Sequence, residues 1–265
     1  IPYSMNIFNP KKGLVVTLED SIFLDTDGGR ISQNIDNWSV SKIKRMGADA
    51  VKVLAWYRPD ADKKVLEAQQ QYVQKIGDEC AKHDILFLFE LLVYPLSKDL
   101  YQTKEYVEMQ NKKTDHVLES VREFSNEKYG VDVFKLESPV NVNKIADSDL
   151  NAFKEMGNIA GRPWVMLSAG AGKEEFKNVL KLAFKAGCSG FLAGRAIWLD
   201  AFMHYPNWDK IQNQLESNAK DYLGEIGEMA DKSALSWNNH VCYDKDGSDF
   251  PYDNQEFRLH YNEIE

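Results

Sequence analysis

Six short apolar runs alternate with longer amphipathic segments along most of the chain, and this alternation constrains the fold more than any other feature. The runs are too continuously apolar for strands that expose one face to water, whereas strands of a parallel sheet are covered on both faces. Repeated βα units produce such a sheet. The sequence therefore predicts an α/β protein with parallel strands at Gly13–Leu18, Ala50–Tyr57, Ile85–Val93, Val131–Ser138, Trp164–Ala169 and Gly190–Gly194.

Helical periodicity fills the segments between these runs. Apolar residues recur every three or four positions over Val65–Cys80 and Phe176–Phe184. Polar caps and terminal glycines mark two more helices, at Asp36–Gly47 and Asp147–Gly161, and Trp208–Lys232 has the pattern of a last long helix. The patterns at Val65–Cys80 and Phe176–Phe184 are expected to be crossovers between the parallel strands.

Composition limits the domain organisation and the class of partner. A chain of 265 residues with 43% hydrophobic residues can bury a sizeable core, either as one large α/β barrel or as two average domains. Because no linker interrupts the strand and helix patterns, we expect one barrel domain over residues 1–239 followed by an irregular tail over residues 240–265. The 41 acidic and 32 basic residues give a net charge of −9, which argues against a nucleic-acid-binding surface. No apolar stretch is long enough to span a bilayer, so no membrane partner is expected.

The cysteines and histidines indicate neither disulfides nor metal. Cys80, Cys188 and Cys242 stand at unrelated spacings, which favours a reducing compartment and hence a cytoplasmic location. The five histidines show no metal-ligand spacing. Motifs for a serine nucleophile, a nucleoside triphosphate or a dinucleotide are also missing. The sequence therefore predicts no metal and no cofactor.

Four charged residues interrupt the apolar strands. They are Lys52, Glu90, Lys135 and Glu137, and a buried charge is costly unless it is paired or neutralised. Because side chains alternate along a strand, Lys135 and Glu137 share one face, which we expect to point into a barrel rather than towards the helices. All four lie near the C-terminal ends of successive strands, where barrel enzymes place their chemistry. The alternative is a buried ion-pair network that only balances charge.

A lysine in such a cluster can act as a nucleophile. Burial and a neighbouring ammonium both disfavour the charged form of the amine, and a neutral amine can form a Schiff base with a carbonyl substrate, which then serves as an electron sink for carbon–carbon cleavage. Glu90 could accept the proton of the substrate hydroxyl beside the broken bond.

Two glycine-containing segments predict a phosphate site. Leu167–Gly172 leads from a strand into a helix, and Gly190–Arg195 ends another strand with an arginine. Backbone N–H groups at a helix start, with a guanidinium nearby, can bind phosphate, and barrels commonly place this site after the seventh and eighth strands. The alternative is that the glycines mark ordinary βα turns.

Together, five motifs in order resemble the class I tagatose-1,6-bisphosphate aldolases and the related sulfofructose-phosphate aldolases. The motifs are GADAVKVL, FLFELLVY, DVFKLESPVN, WVMLSAG and GFLAGRAIW. The resemblance implies a (β/α)8 TIM barrel, without metal, that cleaves a ketose bisphosphate into dihydroxyacetone phosphate and glyceraldehyde 3-phosphate. The expected substrate is tagatose 1,6-bisphosphate, and a sulfofructose phosphate is the alternative. It implies Lys135 as the Schiff-base residue, Glu90 as general acid/base and Lys52 as an assisting residue. Ser168, Ala169, Gly194 and Arg195 would hold a phosphate, with Glu137 and Leu167 also at the substrate.

The sequence departs from this family at its start. The family begins with two further βα units, including an Asp-Gln-Arg motif that contributes to the distal phosphate site, and nothing here matches them. We therefore expect six strands, with Gly13–Leu18 and Gly190–Gly194 flanking a gap rather than pairing, and upstream residues in the natural protein. A non-catalytic phosphosugar-binding barrel is the alternative to an enzyme, and a homo-oligomer is permitted but not required.

Overall fold

The computed structural model describes residues 12–96, 98–99, 109, 114–168 and 170–243. Within these residues the chain forms a six-stranded parallel sheet and a separate two-stranded hairpin. The strands in chain order are β1 (Val15–Thr17), β2 (Leu24–Thr26), β3 (Gly29–Ile31), β4 (Ala50–Trp56), β5 (Leu86–Leu92), β6 (Val133–Leu136), β7 (Trp164–Leu167) and β8 (Gly190–Leu192). Their order in the large sheet is β1-β4-β5-β6-β7-β8, so the six predicted strands are confirmed.

Helices connect the parallel strands and cover one face of the sheet. They are α1 (Val40–Arg45), α2 (Lys63–Lys82), α3 (Thr114–Phe124), α4 (Leu150–Ala160), α5 (Lys173–Lys185), α6 (Arg195–Phe202), α7 (Trp208–Gln214) and α8 (Lys220–Ser233). The predicted last helix is interrupted by a π-helical turn, Leu215–Ala219, between α7 and α8. Within this turn the Ser217 hydroxyl donates to the carbonyl of Asn213, a bond that competes with regular helical pairing.

The two faces of the sheet carry different residues. Phe87, Phe89 and Phe134 are fully buried in the main core that the strands form with the helices. The register pairs Leu54 with Glu90 and Glu90 with Lys135, so these three side chains lie in a row on the opposite face, which we call the inner face. The helix-covered face is thus apolar, and the charges of the strands lie on the other.

The first and last parallel strands occupy opposite edges of the sheet. Among the described residues β1 pairs only with β4 and β8 only with β7, which confirms the expectation that Gly13–Leu18 and Gly190–Gly194 do not pair. Val15 and Leu192, one on each edge strand, are more than a third exposed. The six βα units therefore form an open, incomplete (β/α)8 barrel.

An antiparallel hairpin, β2–β3, follows β1 and was not predicted from the sequence. Its strands have three residues each, with Leu24 opposite Ile31, Asp25 opposite Arg30 and Thr26 opposite Gly29. Gly29 has a φ of 140°, a conformation that disfavours side chains, and a Cβ here would lie 2.3 Å from the Tyr94 hydroxyl. The hairpin thus depends on a glycine at this position and on contacts with residues distant in sequence.

The predicted tail falls largely outside the described part of the chain, which ends at residue 243. Its first residue, His240, is buried, and its Nε2 lies 2.7 Å from the Ser189 hydroxyl at the start of β8. No helix within the described residues combines the length and the apolar character needed to cross a membrane.

Candidate active site

Glu90 lies at the centre of a charged cluster on the inner face of the sheet. One carboxylate oxygen is 2.8 Å from the ammonium of Lys135 on β6, and the other is 2.7 Å from the ammonium of Lys52 on β4. The Glu90 side chain is fully buried, whereas those of Lys135 and Lys52 are 15% and 18% exposed. The structure therefore brings together the three residues that the sequence singled out as catalytic.

A fourth member of this cluster, Glu19, was missed by the sequence analysis. Its carboxylate forms an ion pair with Lys52 and accepts a hydrogen bond of 2.6 Å from the Thr17 hydroxyl. Glu19 lies two residues beyond the end of β1, and it is buried. The rule that located the other charges was a charge inside an apolar strand, and Glu19 escaped it because it follows its apolar run instead of interrupting it.

The two lysines differ in basicity although they share one carboxylate. Burial lowers the pKa of Lys135, and the nearby ammonium of Lys52 lowers it further against the opposing attraction of Glu90. Burial also acts to lower the pKa of Lys52, but Glu90 and Glu19 outweigh it and leave that pKa raised. Lys52 is therefore the lysine that remains charged, and Lys135 is the one that more readily becomes a neutral amine.

Glu137 lies two residues beyond Lys135 and is almost fully buried. Its carboxylate accepts a hydrogen bond of 2.6 Å from the backbone N–H of Val93, just after β5. The side chain thus ties the C-terminal ends of β5 and β6 together, on the same side of the sheet as the predicted substrate site.

The two predicted phosphate segments follow neighbouring strands. Leu167 at the end of β7 pairs with Leu192 at the end of β8, so Ser168 and the residues after Leu192 leave the sheet side by side. Ser168 is buried, and its carbonyl accepts a 2.7 Å hydrogen bond from the N–H of Ala171 in a turn that contains Gly170 at a φ of 83°. Ala169 lies outside the described residues.

The second segment starts a helix. Gly194 is the N-terminal cap of α6, and Arg195 is its first residue and is partly buried. The exposed N–H groups of a helix start favour an anion. Because Lys135 is in register with Val165 of β7, Ser168 lies three residues further along the strand direction, or about 10 Å. Lys135, Ser168 and Arg195 therefore lie towards the same end of the sheet.

The part of the chain that the structure describes contains no group of three or more His, Cys, Asp or Glu side chains able to hold a metal ion. Cys80, Cys188 and Cys242 are free thiols. The polar chemistry that the described residues assemble on the inner face is that of amines and carboxylates.

Residues 8–200 match the family model described as "DeoC/LacD family aldolase". Among curated proteins, the chain is 33% identical over 238 residues to tagatose 1,6-diphosphate aldolase 1 of Enterococcus faecalis, a match that covers 84% of this chain and 72% of the relative. It is 30% identical over 240 residues to tagatose 1,6-diphosphate aldolase of Listeria monocytogenes serotype 4b, covering 85% of this chain and 70% of the relative.

Solved structures of aldolases share the fold at low sequence identity. A Schiff base-forming fructose-1,6-bisphosphate aldolase superposes with a TM-score of 0.57 at 17% identity, over 84% of this chain and 73% of that one. An archaeal fructose 1,6-bisphosphate aldolase gives a TM-score of 0.56 at 15% identity, over 85% of this chain and 75% of that one. At this identity the likeness concerns the arrangement of strands and helices.

Proposed function

Because this chain belongs to the DeoC/LacD aldolase family, it is an aldolase, and we propose that it is a class I aldolase that cleaves a ketose bisphosphate through a Schiff base on Lys135. The proposed substrate is tagatose 1,6-bisphosphate, which the names of its relatives support. The products would be dihydroxyacetone phosphate and glyceraldehyde 3-phosphate. No cofactor is needed for this chemistry, since the imine itself is the electron sink.

One observation carries the proposal: a fully buried carboxylate bridges two lysines, of which one has a lowered pKa. Lys135 is held in buried surroundings beside the ammonium of Lys52, and these two effects outweigh the attraction of Glu90 and lower the pKa of the amine. A lowered pKa favours the neutral, nucleophilic form that a Schiff base requires.

The reaction follows from this arrangement. The neutral amine of Lys135 attacks the C2 carbonyl of the ketose, and loss of water from the carbinolamine gives a protonated imine. Glu90 takes the proton of the C4 hydroxyl while the C3–C4 bond breaks, and the electron pair of that bond moves into the iminium to form an enamine. The aldehyde leaves, the enamine is protonated at C3, and hydrolysis releases dihydroxyacetone phosphate and restores the amine.

Lys52 and the phosphate segments would assist this cycle. Lys52 forms an ion pair with Glu90 and would hold its carboxylate in position to act as a base. Ser168, Ala169, Gly194 and Arg195 would bind a phosphate of the substrate, with Leu167 and Glu137 at its edge. We place the enzyme in the cytoplasm, in keeping with its three free thiols.

Borohydride trapping tests the proposal. Incubation of the full chain with dihydroxyacetone phosphate and borohydride should add a stable mass to the peptide that contains Lys135. Lys135→Arg should abolish both labelling and cleavage, because a guanidinium stays protonated and cannot form the imine. Lys64→Arg, at an exposed position of α2, is the matched control and should label normally. Labelling at another lysine, or none, would refute the assignment.

Three further measurements define the substrate, the reaction class and the presence of turnover. Cleavage of tagatose 1,6-bisphosphate should be faster than cleavage of sulfofructose 1-phosphate; the reverse order would assign the chain to the sulfofructose-phosphate type. Activity should persist in a chelator, whereas its loss would indicate a metal-dependent aldolase instead. Binding of the phosphosugar without turnover would favour the alternative function, a non-catalytic phosphosugar-binding barrel.

A further inference from the structure

An arginine lies among three aromatic rings at the C-terminal ends of β4 and β5, on the inner face of the sheet. The guanidinium carbon of Arg30 is 4.3 Å from the ring centre of Phe23, 4.7 Å from that of Trp56 and 5.1 Å from that of Tyr94. We call these four residues the aromatic cap. Arg30 is almost fully buried, since only 3% of its surface is exposed. Cation–π contacts of a desolvated guanidinium are among the stronger ones in proteins.

The cap joins the β2–β3 hairpin to the ends of β4 and β5. Phe23 and Arg30 belong to the hairpin segment, Trp56 is the last residue of β4, and Tyr94 follows β5. The N–H of Arg30 donates to the Tyr94 hydroxyl over 3.1 Å. The side chain of Gln69 on α2 forms a second link: it accepts from the Ser32 N–H and donates to the Trp56 carbonyl, each over 2.8 Å.

The cap continues directly into the surroundings of Glu90. Trp56 and Tyr94 belong to a buried apolar cluster with Leu54, Leu92, Leu96 and Leu167, against which Phe23 packs. Leu54 is the sheet neighbour of Glu90, which in turn is the sheet neighbour of Lys135. A continuous apolar wall therefore runs from the rings around Arg30 to the carboxylate that contacts both lysines.

We propose that Arg30 is a positioning residue for the aldolase reaction: by holding the hairpin against Trp56 and Tyr94, it keeps water away from the Glu90–Lys135 pair. This inference rests on the proposed function. Arg30 acts through the apolar wall rather than on the reacting amine. By excluding water, the wall disfavours the ammonium form of Lys135.

Protonation of Lys135 is the property that the cap would control. Burial is the main cause that lowers the pKa of Lys135, and the charges that act on it are Glu90 of β5, Lys52 of β4 and Glu19 after β1. These three charges remain when Arg30 is replaced. Loosening the cap would admit water to the wall, so the pKa of Lys135 should rise towards that of an ordinary lysine.

The test measures the rate of borohydride trapping of dihydroxyacetone phosphate on Lys135 as a function of pH. The rate should fall at acid pH as Lys135 becomes protonated, and we call this part of the pH–rate profile the acid limb. Arg30→Met keeps the bulk of the side chain but not its charge or planarity, and in this variant the acid limb should move to higher pH. Each unit of movement lowers trapping at acid pH by about tenfold, with recovery at alkaline pH. Arg45→Met, at an exposed arginine on α1, should leave the profile unchanged.

Two milder variants distinguish the stacking of the cap from the charge of Arg30. Arg30→Lys keeps a positive charge but loses the flat stacking surface, so it should also shift the limb. Phe23→Leu removes one ring of the cap, at a position that lies outside the parallel sheet, and should produce a smaller shift of the acid limb in the same direction. This variant serves as the test if Arg30→Met does not fold. An unchanged limb in Arg30→Lys and Phe23→Leu, or an equal loss of trapping at every pH, would overturn the proposal. Absence of trapping in the unaltered protein would instead contradict the Schiff-base function.

Discussion

Glu90 of β5 and Lys135 of β6 occupy paired positions on neighbouring parallel strands, and their carboxylate and ammonium groups lie 2.8 Å apart. Pairing in register makes both side chains point to the same face of the sheet. A proton acceptor thus lies beside a potential amine nucleophile, held by two strands rather than by loops. Sites built on regular elements maintain their geometry more accurately than sites built on loops.

Replacing Glu90 should separate cleavage from imine formation. Glu90→Gln removes the proposed base, so cleavage of tagatose 1,6-bisphosphate should fall by about 10²–10⁴-fold. Trapping of dihydroxyacetone phosphate on Lys135 should persist, with its acid limb at lower pH, because Glu90 acts to raise the pKa of Lys135. Steady-state kinetics and borohydride trapping on one preparation check both outcomes. Glu155→Gln, at an exposed acid on α4, is the control, and parallel loss of trapping would argue against separate roles.

The sequence was sufficient to predict that three charged residues meet on one face of the sheet. Lys52, Glu90 and Lys135 interrupt otherwise apolar strands, and a charge in a buried strand requires a partner. The alternation of side chains fixes which face each charge occupies. Local sequence therefore indicated both that these residues interact and on which side of the sheet they do so.

The features that sequence reasoning missed depend on contacts between distant segments. Glu19 follows a strand of three residues and stands beside other polar residues, so its burial against Lys52 left no local signal as clear as an interrupted apolar run. The β2–β3 hairpin has strands of only three residues, and one of its anchors is the insertion of Arg30 among the rings of Phe23, Trp56 and Tyr94. Neither periodicity nor composition reports such an anchor.

Lys52 should contribute to stability as well as to catalysis. Lys52→Met leaves Glu19 buried without its ion-pair partner, which should lower the free energy of unfolding by roughly 3 kcal/mol. Urea unfolding at neutral pH measures this change. Lys63→Met breaks an exposed ion pair with Glu67 and should have little effect, since such pairs contribute little to stability. An equally small effect at Lys52 would show that Glu19 and Glu90 do not need its charge.

Arg195 should act on binding of the phosphate rather than on imine chemistry. Arg195→Met should raise KM for tagatose 1,6-bisphosphate by about tenfold or more, the value of a lost hydrogen bond to a charged group. Trapping of dihydroxyacetone, which has no phosphate, should be unaffected, whereas trapping of dihydroxyacetone phosphate should need a higher concentration. Arg122→Met on α3 provides an exposed control. Equal losses with both ketones would indicate that Arg195 does not read the phosphate.

The contact between His240 and Ser189 should make stability depend on pH. Burial lowers the pKa of His240, so the folded protein favours the neutral ring. Between the lowered pKa and the ordinary value of about 6.5, the unfolded chain binds more protons than the folded one. This contribution to stability is therefore complete above about pH 6.5 and is lost as the pH falls through that window.

His240→Gln should lower the free energy of unfolding by about 1 kcal/mol at neutral pH, because it weakens the hydrogen bond to Ser189. It should also flatten the acid side of the curve of stability against pH. Urea unfolding across this range measures both effects, with His204→Gln, at an exposed histidine, as the control. An acid slope as steep in His240→Gln as in the unaltered protein would assign the pH dependence to other groups.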